Sequence, residues 1–181
     1  AVARPGAVLA SNTSSLKLAD IATSLQDPSR LVGIHFFNPV PQMMLVEVVH
    51  GAGTNDEHVR KALAFVRQVD KLPLPVKDAP GFLVNRVLGP YMQNAFRMLD
   101  EGAKPETLDR AMEDFGMPMG PAELADTVGL DICLHAGKAL AKNVGSEKDV
   151  PEILANKVAL GQLGRKTGQG IYLYEKGRPK K

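Results

Sequence analysis

The stretch Gly33–Ile34–His35–Phe36–Phe37–Asn38–Pro39–Val40–Pro41–Gln42–Met43–Met44–Leu45–Val46–Glu47–Val48–Val49 decides the fold. It holds two dense apolar runs, Leu31–Phe37 and Leu45–Val49. Both are too short for an ordinary helix, and Asn-Pro-Val-Pro breaks the chain between them. They read as two buried strands joined by a return. One ionisable group interrupts each run: His35 in the first, Glu47 in the second. In a hairpin centred near Pro41, residues equidistant from the turn face each other, and this register pairs His35 with Glu47. Side-chain alternation puts Glu47 on one face with Leu45 and Val49, and Val46 and Val48 on the other.

Working outward, Val8–Leu9–Ala10 is a short apolar run ending in Ser11–Asn12–Thr13–Ser14–Ser15, a strand followed by a polar loop. Leu16–Leu25 has helical spacing and stops at Asp27–Pro28. Asn55 or Asp56 caps a helix running to about Lys71, with Val59, Ala62, Leu63, Val66 and Val69 on its apolar face. Leu72–Val76 is a strand whose Pro73 and Pro75 confine it to an edge. The character changes at Asp78–Ala79–Pro80–Gly81. Beyond it, helical patterns cover Phe82–Leu99 (with Pro90 inside), Pro105–Phe115, Pro121 to about Lys142 around Gly129, and Val150–Leu160. A glycine-rich basic segment, Gly161–Gly170, precedes an extended Ile171–Tyr174. The chain therefore divides into an α/β segment, 1–77, and an all-α segment, 78–181. The first is too small for a complete doubly wound sheet and reads as the second half of one.

Composition agrees with a globular chain. Apolar residues make up 44% and charged residues 23%, so a core is available and disorder is not the default. A net charge of +2 gives no case for a nucleic-acid partner. No apolar run reaches the roughly 18 residues of a membrane helix, and no stretch reads as a secretory signal peptide. The lone Cys133 excludes an internal disulfide framework and a Cys-based zinc cluster, so no metal is expected. The chain lacks an initiator Met and opens on Ala1–Val2–Ala3–Arg4–Pro5–Gly6–Ala7, which reads as a helix end and turn, as in a piece of a longer protein.

Three groups could carry chemistry. A carboxylate beside an imidazole fixes the ring tautomer and favours the imidazolium, leaving the other ring nitrogen to exchange a proton. Against this stands a strand-end histidine with a solvated glutamate beside it. Ser11–Ser15 lies where parallel sheets bind ligands, or it is a plain serine/threonine turn. Asn85, near the start of a long helix, is either a ligand contact or a first-turn cap. His50, His58 and His135 have no partner pattern. Gly161–Gly170 matches a phosphate loop in composition only, and no G-x-G-x-x-G occurs anywhere.

Taken together, SNTSSL at 11–16, GIHFFNPVPQMMLVEVV at 33–49, KDAPGFLVNR at 77–86, MGPAELADTVGLD at 119–131 and RKTGQGIYLY at 165–174 resemble the L-3-hydroxyacyl-CoA dehydrogenase family along essentially the whole chain. The resemblance implies the C-terminal part of a Rossmann-like NAD-binding domain, followed by an all-α domain of the 6-phosphogluconate dehydrogenase C-terminal type. It implies His35 as catalytic acid/base and Glu47 as the group that orients and charges it. It implies Ser14 at the substrate and near the nicotinamide, Asn85 at the substrate, and Asn38 and Lys166 toward the cofactor. The reaction implied is NAD-dependent oxidation of (S)-3-hydroxyacyl-CoA to 3-ketoacyl-CoA in fatty-acid β-oxidation. Implied partners are a second copy or a thiolase-containing complex. The setting is cytoplasmic in a bacterium, mitochondrial or peroxisomal in a eukaryote. VGLDICLHAGKAL and YEKGRPKK look more like the multifunctional fatty-acid oxidation proteins. The family's glycine-rich strand–turn–helix has no counterpart here. Two other readings stand beside this one: a non-catalytic folding or dimerisation fragment, and a hydroxyacid dehydrogenase of the 3-hydroxyisobutyrate type. The latter is expected to use a lysine where this chain offers His35–Glu47.

Overall fold

The computed structural model describes residues 3–14, 16–144 and 150–180, apart from the side chains of 139–144. Ala1, Val2 and Ser15, named above, lie outside the described residues. The chain forms two compact units, Ala1–Arg86 and Val87–Lys181.

The first unit is built on a four-stranded mixed sheet of order β1-β2-β3-β4. Its strands are β1 (Leu9–Ser11), β2 (Leu31–Phe36), β3 (Leu45–His50) and β4 (Leu72–Lys77). β1 runs parallel to β2, β2 antiparallel to β3, and β3 parallel to β4. β4 pairs on one side only, as its two prolines require. The β2–β3 register sets His35 opposite Glu47.

Alternation along β2 and β3 builds two cores. On one face Val32, Ile34, Val46 and Val48 pack with Ala62 and Val66 of α2 (Asp56–Gln68). On the other, Leu31, Val49 and Val76 pack with Leu18 and Phe82. α2 is capped as its sequence dictates, by the Asn55 side chain accepting from Glu57 N–H. It stops before Lys71 because Asp70 takes a left-handed conformation.

Helix α1 is only Leu18–Ala22, shorter than the helical pattern of 16–25. Its N-cap, Lys17, offers no side-chain acceptor. Asp78 does that work instead, accepting from Leu18 N–H at 3.0 Å and Ala19 N–H at 2.9 Å. The turn-rich segment from Asp78, which composition groups with the helices, thus packs with the sheet. The boundary of the compact units lies in the first turn of α3 (Val84–Asp100).

The second unit contains α4 (Pro105–Phe115), α5 (Pro121–Val128), α6 (Leu130–Val144) and α7 (Glu152–Ala159). The single helical pattern around Gly129 is two helices, since Gly129 has φ 108° and breaks the run. Phe96, Leu99, Ala125, Leu130 and Leu154 form the core. The extended end is half of a hairpin, β5 (Leu173–Glu175) with β6 (Arg178–Lys180). Lys176 and Gly177, both at positive φ, make its two-residue turn.

Candidate active site

His35 lies near the end of β2 and is 6% exposed; Glu47, opposite it, is fully buried. His35 Nδ1 and Glu47 Oε2 are 2.7 Å apart. The other carboxylate oxygen, Oε1, accepts the backbone N–H of Leu83 and of Val84, both at 2.9 Å. Glu47 therefore binds the histidine and also satisfies the amino end of α3, where helical N–H groups lack intrahelical partners. A buried carboxylate with three donors is a satisfied charge. Burial pushes the Glu47 carboxyl up, but the hydrogen bond to His35 and those from the Val84 and Leu83 N–H groups outweigh it. The net result lies below the usual glutamate value.

An ionised Glu47 accepts only, so Nδ1 carries the proton and Nε2 is left to exchange one. Nε2 makes no hydrogen bond among the described residues. The ring contacts Phe37 at 4.7 Å and Phe82 at 5.6 Å between centroids. The pair is buried and tautomer-fixed, which excludes the solvated strand-end arrangement.

The other expected residues are distributed as follows. Ser14 is exposed in the loop after β1, and Asn38 is exposed just after β2. Both loops lie at the carboxyl ends of the parallel β1–β2 pair, where α/β sheets bind ligands. Asn85 follows Val84 directly, half-buried, in the first turn of α3. Lys166 belongs to the second unit, where its Nζ meets both oxygens of Asp131 at 2.6 and 2.8 Å.

Within the Ser11–Ser15 segment, Asn12 Oδ1 accepts from Phe36 N–H at 3.1 Å, extending the β1–β2 pairing and tying the serine loop to the strand that carries His35. Asp131 was invisible in the sequence because its partner is 35 positions away.

The glycine-rich segment has a structural explanation. Asp126 is buried and accepts the N–H groups of Ile171 and Tyr172, both at 2.8 Å. A Cβ at Gly164 would collide with the Asp126 backbone, and one at Gly170 with its carboxylate. These glycines admit a carboxylate of the chain itself, not a phosphate.

A Rossmann-like α/β sheet carrying a buried histidine–carboxylate pair and a separate helical unit make up the class of protein that the comparisons place in a family. Comparison with known proteins carries this further. Residues 1–79 match the model for the 3-hydroxyacyl-CoA dehydrogenase NAD binding domain, and residues 81–174 match that for the C-terminal domain. The chain belongs to the 3-hydroxyacyl-CoA dehydrogenase family. It is 42% identical to the fatty acid oxidation complex subunit alpha of Psychrobacter sp. (strain PRwf-1), a match covering 98% of this chain and 26% of that protein. It is 42% identical to (S)-3-hydroxybutyryl-CoA dehydrogenase from Ralstonia eutropha, with a TM-score of 0.88, covering 93% of this chain and 61% of that one. It is 38% identical to 3-hydroxybutyryl-CoA dehydrogenase from Escherichia coli K12, again with a TM-score of 0.88, covering 96% of this chain and 38% of that one. The chain thus spans about a quarter of the curated relative's length. Among the described residues, no helix is long and apolar enough to cross a membrane.

Proposed function

We propose that these residues form the proton-transfer and substrate side of an NAD-dependent (S)-3-hydroxyacyl-CoA dehydrogenase of fatty-acid β-oxidation. The observation that carries the reading is the buried 2.7 Å contact between His35 and Glu47. Nε2 of His35 takes the proton of the C3 hydroxyl as the alcohol is oxidised to the 3-ketoacyl-CoA. The Glu47 charge stabilises the imidazolium that forms. Ser14 and Asn85 hold the reacting oxygen through hydrogen bonds, a preorganised electrostatic contribution.

When bound, NAD supplies the hydride acceptor for C3. The residues present fit that cofactor, since Ser14 and Asn38 stand exposed at the ligand-binding edge of the parallel strands. The family resemblance also assigns Lys166 to the cofactor; in the second unit its Nζ is held by Asp131. Similarity to a complex subunit favours assembly with another chain, either a second copy or a thiolase subunit, in the cytoplasm of a bacterium.

The test is NADH formation from (S)-3-hydroxybutyryl-CoA by the intact enzyme containing these residues, compared with free 3-hydroxyacids. Turnover confined to the thioester supports the reading, and turnover of free hydroxyacids alone overturns it. An NAD titration of the isolated 181-residue chain separates a working site from a folding or dimerisation piece.

A further inference from the structure

Phe82 has φ 48° and follows Gly81 at φ 74°. Glycine takes this conformation freely, but for a bulky side chain it is an outlier that persists only where the surroundings over-determine it. Two features meet here. Phe82 is 4% exposed, packed among Leu18, Leu31, Val49 and Val76, and its ring meets that of His35 in a T-shaped contact. The next two N–H groups, those of Leu83 and Val84, converge on Oε1 of Glu47. A phenylalanine that only filled space could do so from an ordinary extended or helical backbone. The left-handed turn does something else: it presents two consecutive donors to one oxygen, leaving Oε2 for Nδ1 of His35.

We propose that Phe82 is a positioning residue for the His35–Glu47 pair, its left-handed backbone aiming two donors at Glu47 and its ring bracing the imidazole. The meaning of the pair rests on the dehydrogenase reading; the positioning does not. Both partners of the pair thereby depend on a single residue between the sheet and Asn85.

The experiment uses the ¹⁵N-labelled chain without substrate or cofactor. Imidazole ¹H–¹⁵N spectra report the His35 tautomer and the exchange of its Nδ1 proton, and amide exchange reports Leu83 and Val84. Phe82→Gly keeps the left-handed backbone and removes the ring. Exchange of the His35 Nδ1 proton is then expected to rise about tenfold, the scale of one aromatic contact, with Leu83 and Val84 protection retained. Phe82→Ile keeps apolar volume, but its β-branch disfavours positive φ more than phenylalanine does, so Leu83 and Val84 lose protection. Unchanged His35 exchange in Phe82→Gly, or unchanged amide protection in Phe82→Ile, overturns the proposal. Should the glycine variant fail to fold by circular dichroism, the isoleucine variant and the parent chain decide, since a parent chain without a slowly exchanging Nδ1 proton also overturns it. Failure of the dehydrogenase reading shows separately, as turnover that survives loss of His35.

Discussion

Glu47 stands opposite His35 in the β2–β3 register and divides its carboxylate between two tasks. Oε2 meets the imidazole at 2.7 Å, while Oε1 holds the start of α3 through Leu83 and Val84. The group that sets the histidine tautomer therefore also anchors the turn leading to Asn85. Chemistry and local fold share one side chain, so its substitution should register in both.

Replacing His35 by Gln removes the proton acceptor and leaves the serine loop and Asn38 in place. In the intact enzyme kcat should fall by about 10²–10⁴-fold, with little change in NAD affinity by titration. Near-normal turnover would rule out the acid/base assignment.

Glu47→Gln retains an acceptor for the α3 N–H groups but loses the charge. The fold should persist by circular dichroism. The imidazolium formed in the reaction loses its counter-charge, so kcat should drop and the pH–rate profile should move. An unaltered profile would show that Glu47 does not act through His35. Glu47→Ala should be harsher: with donors left unpaired in the interior, a loss of about 3 kcal/mol or more in urea unfolding is expected.

The acid sensitivity of the first unit follows from the same carboxylate. Its folded pKa lies below the ordinary value of 4.5. Folding thus favours the charged form, and the stabilisation is fully present above that value. It is lost as the pH falls through the lower folded value. Urea midpoints should decline in that acid window in the parent chain, and this part of the decline should be missing in Glu47→Gln. Asp126 works in the opposite sense. Burial outweighs its hydrogen bonds from Tyr172 and Ile171 and raises its pKa, so its unfavourable contribution is relieved as the pH falls.

Glycine substitutions in the second unit should divide by what their Cβ would meet. At Gly120 it would strike the backbone and side chain of Asp109, the buried residue that accepts from Ala122 N–H, Glu123 N–H and the Tyr172 hydroxyl. Gly120→Ala should cost about 1–3 kcal/mol or more. Gly137, within α6, meets nothing within 4 Å. Gly137→Ala should stabilise by about 0.5–1 kcal/mol. Thermal melts that rank the two variants the other way would contradict this packing.

Much of the α/β architecture was legible because it is written in local patterns. The dense apolar runs Leu31–Phe37 and Leu45–Val49 set two strands, alternation set the faces of the second, and the proline-bounded return put His35 across from Glu47. Asn55 announced the start of α2, and the paired prolines marked β4 as an edge. Helix limits were less readable. α1 ends earlier than its apolar spacing suggests, and Gly129 divides what reads as one helix.

What the sequence determined by itself is the pairing of His35 with Glu47 and the family, through motifs whose spacing is local or set by a strand register. Tertiary structure alone decided how helix ends without a local side-chain cap are satisfied. The N-caps of α1, α5 and α7 are Lys17, Gly120 and Pro151, none of which provides a side-chain cap. Their N–H groups are met instead by Asp78, Asp109 and Asp100. The start of α3 is met in the same way by Glu47. A carboxylate can act across such sequence distances only once packing has brought it there. This is why Glu47 could be read as the partner of His35, while its second hold on Leu83 and Val84, and the turn at Phe82 that makes it possible, could not.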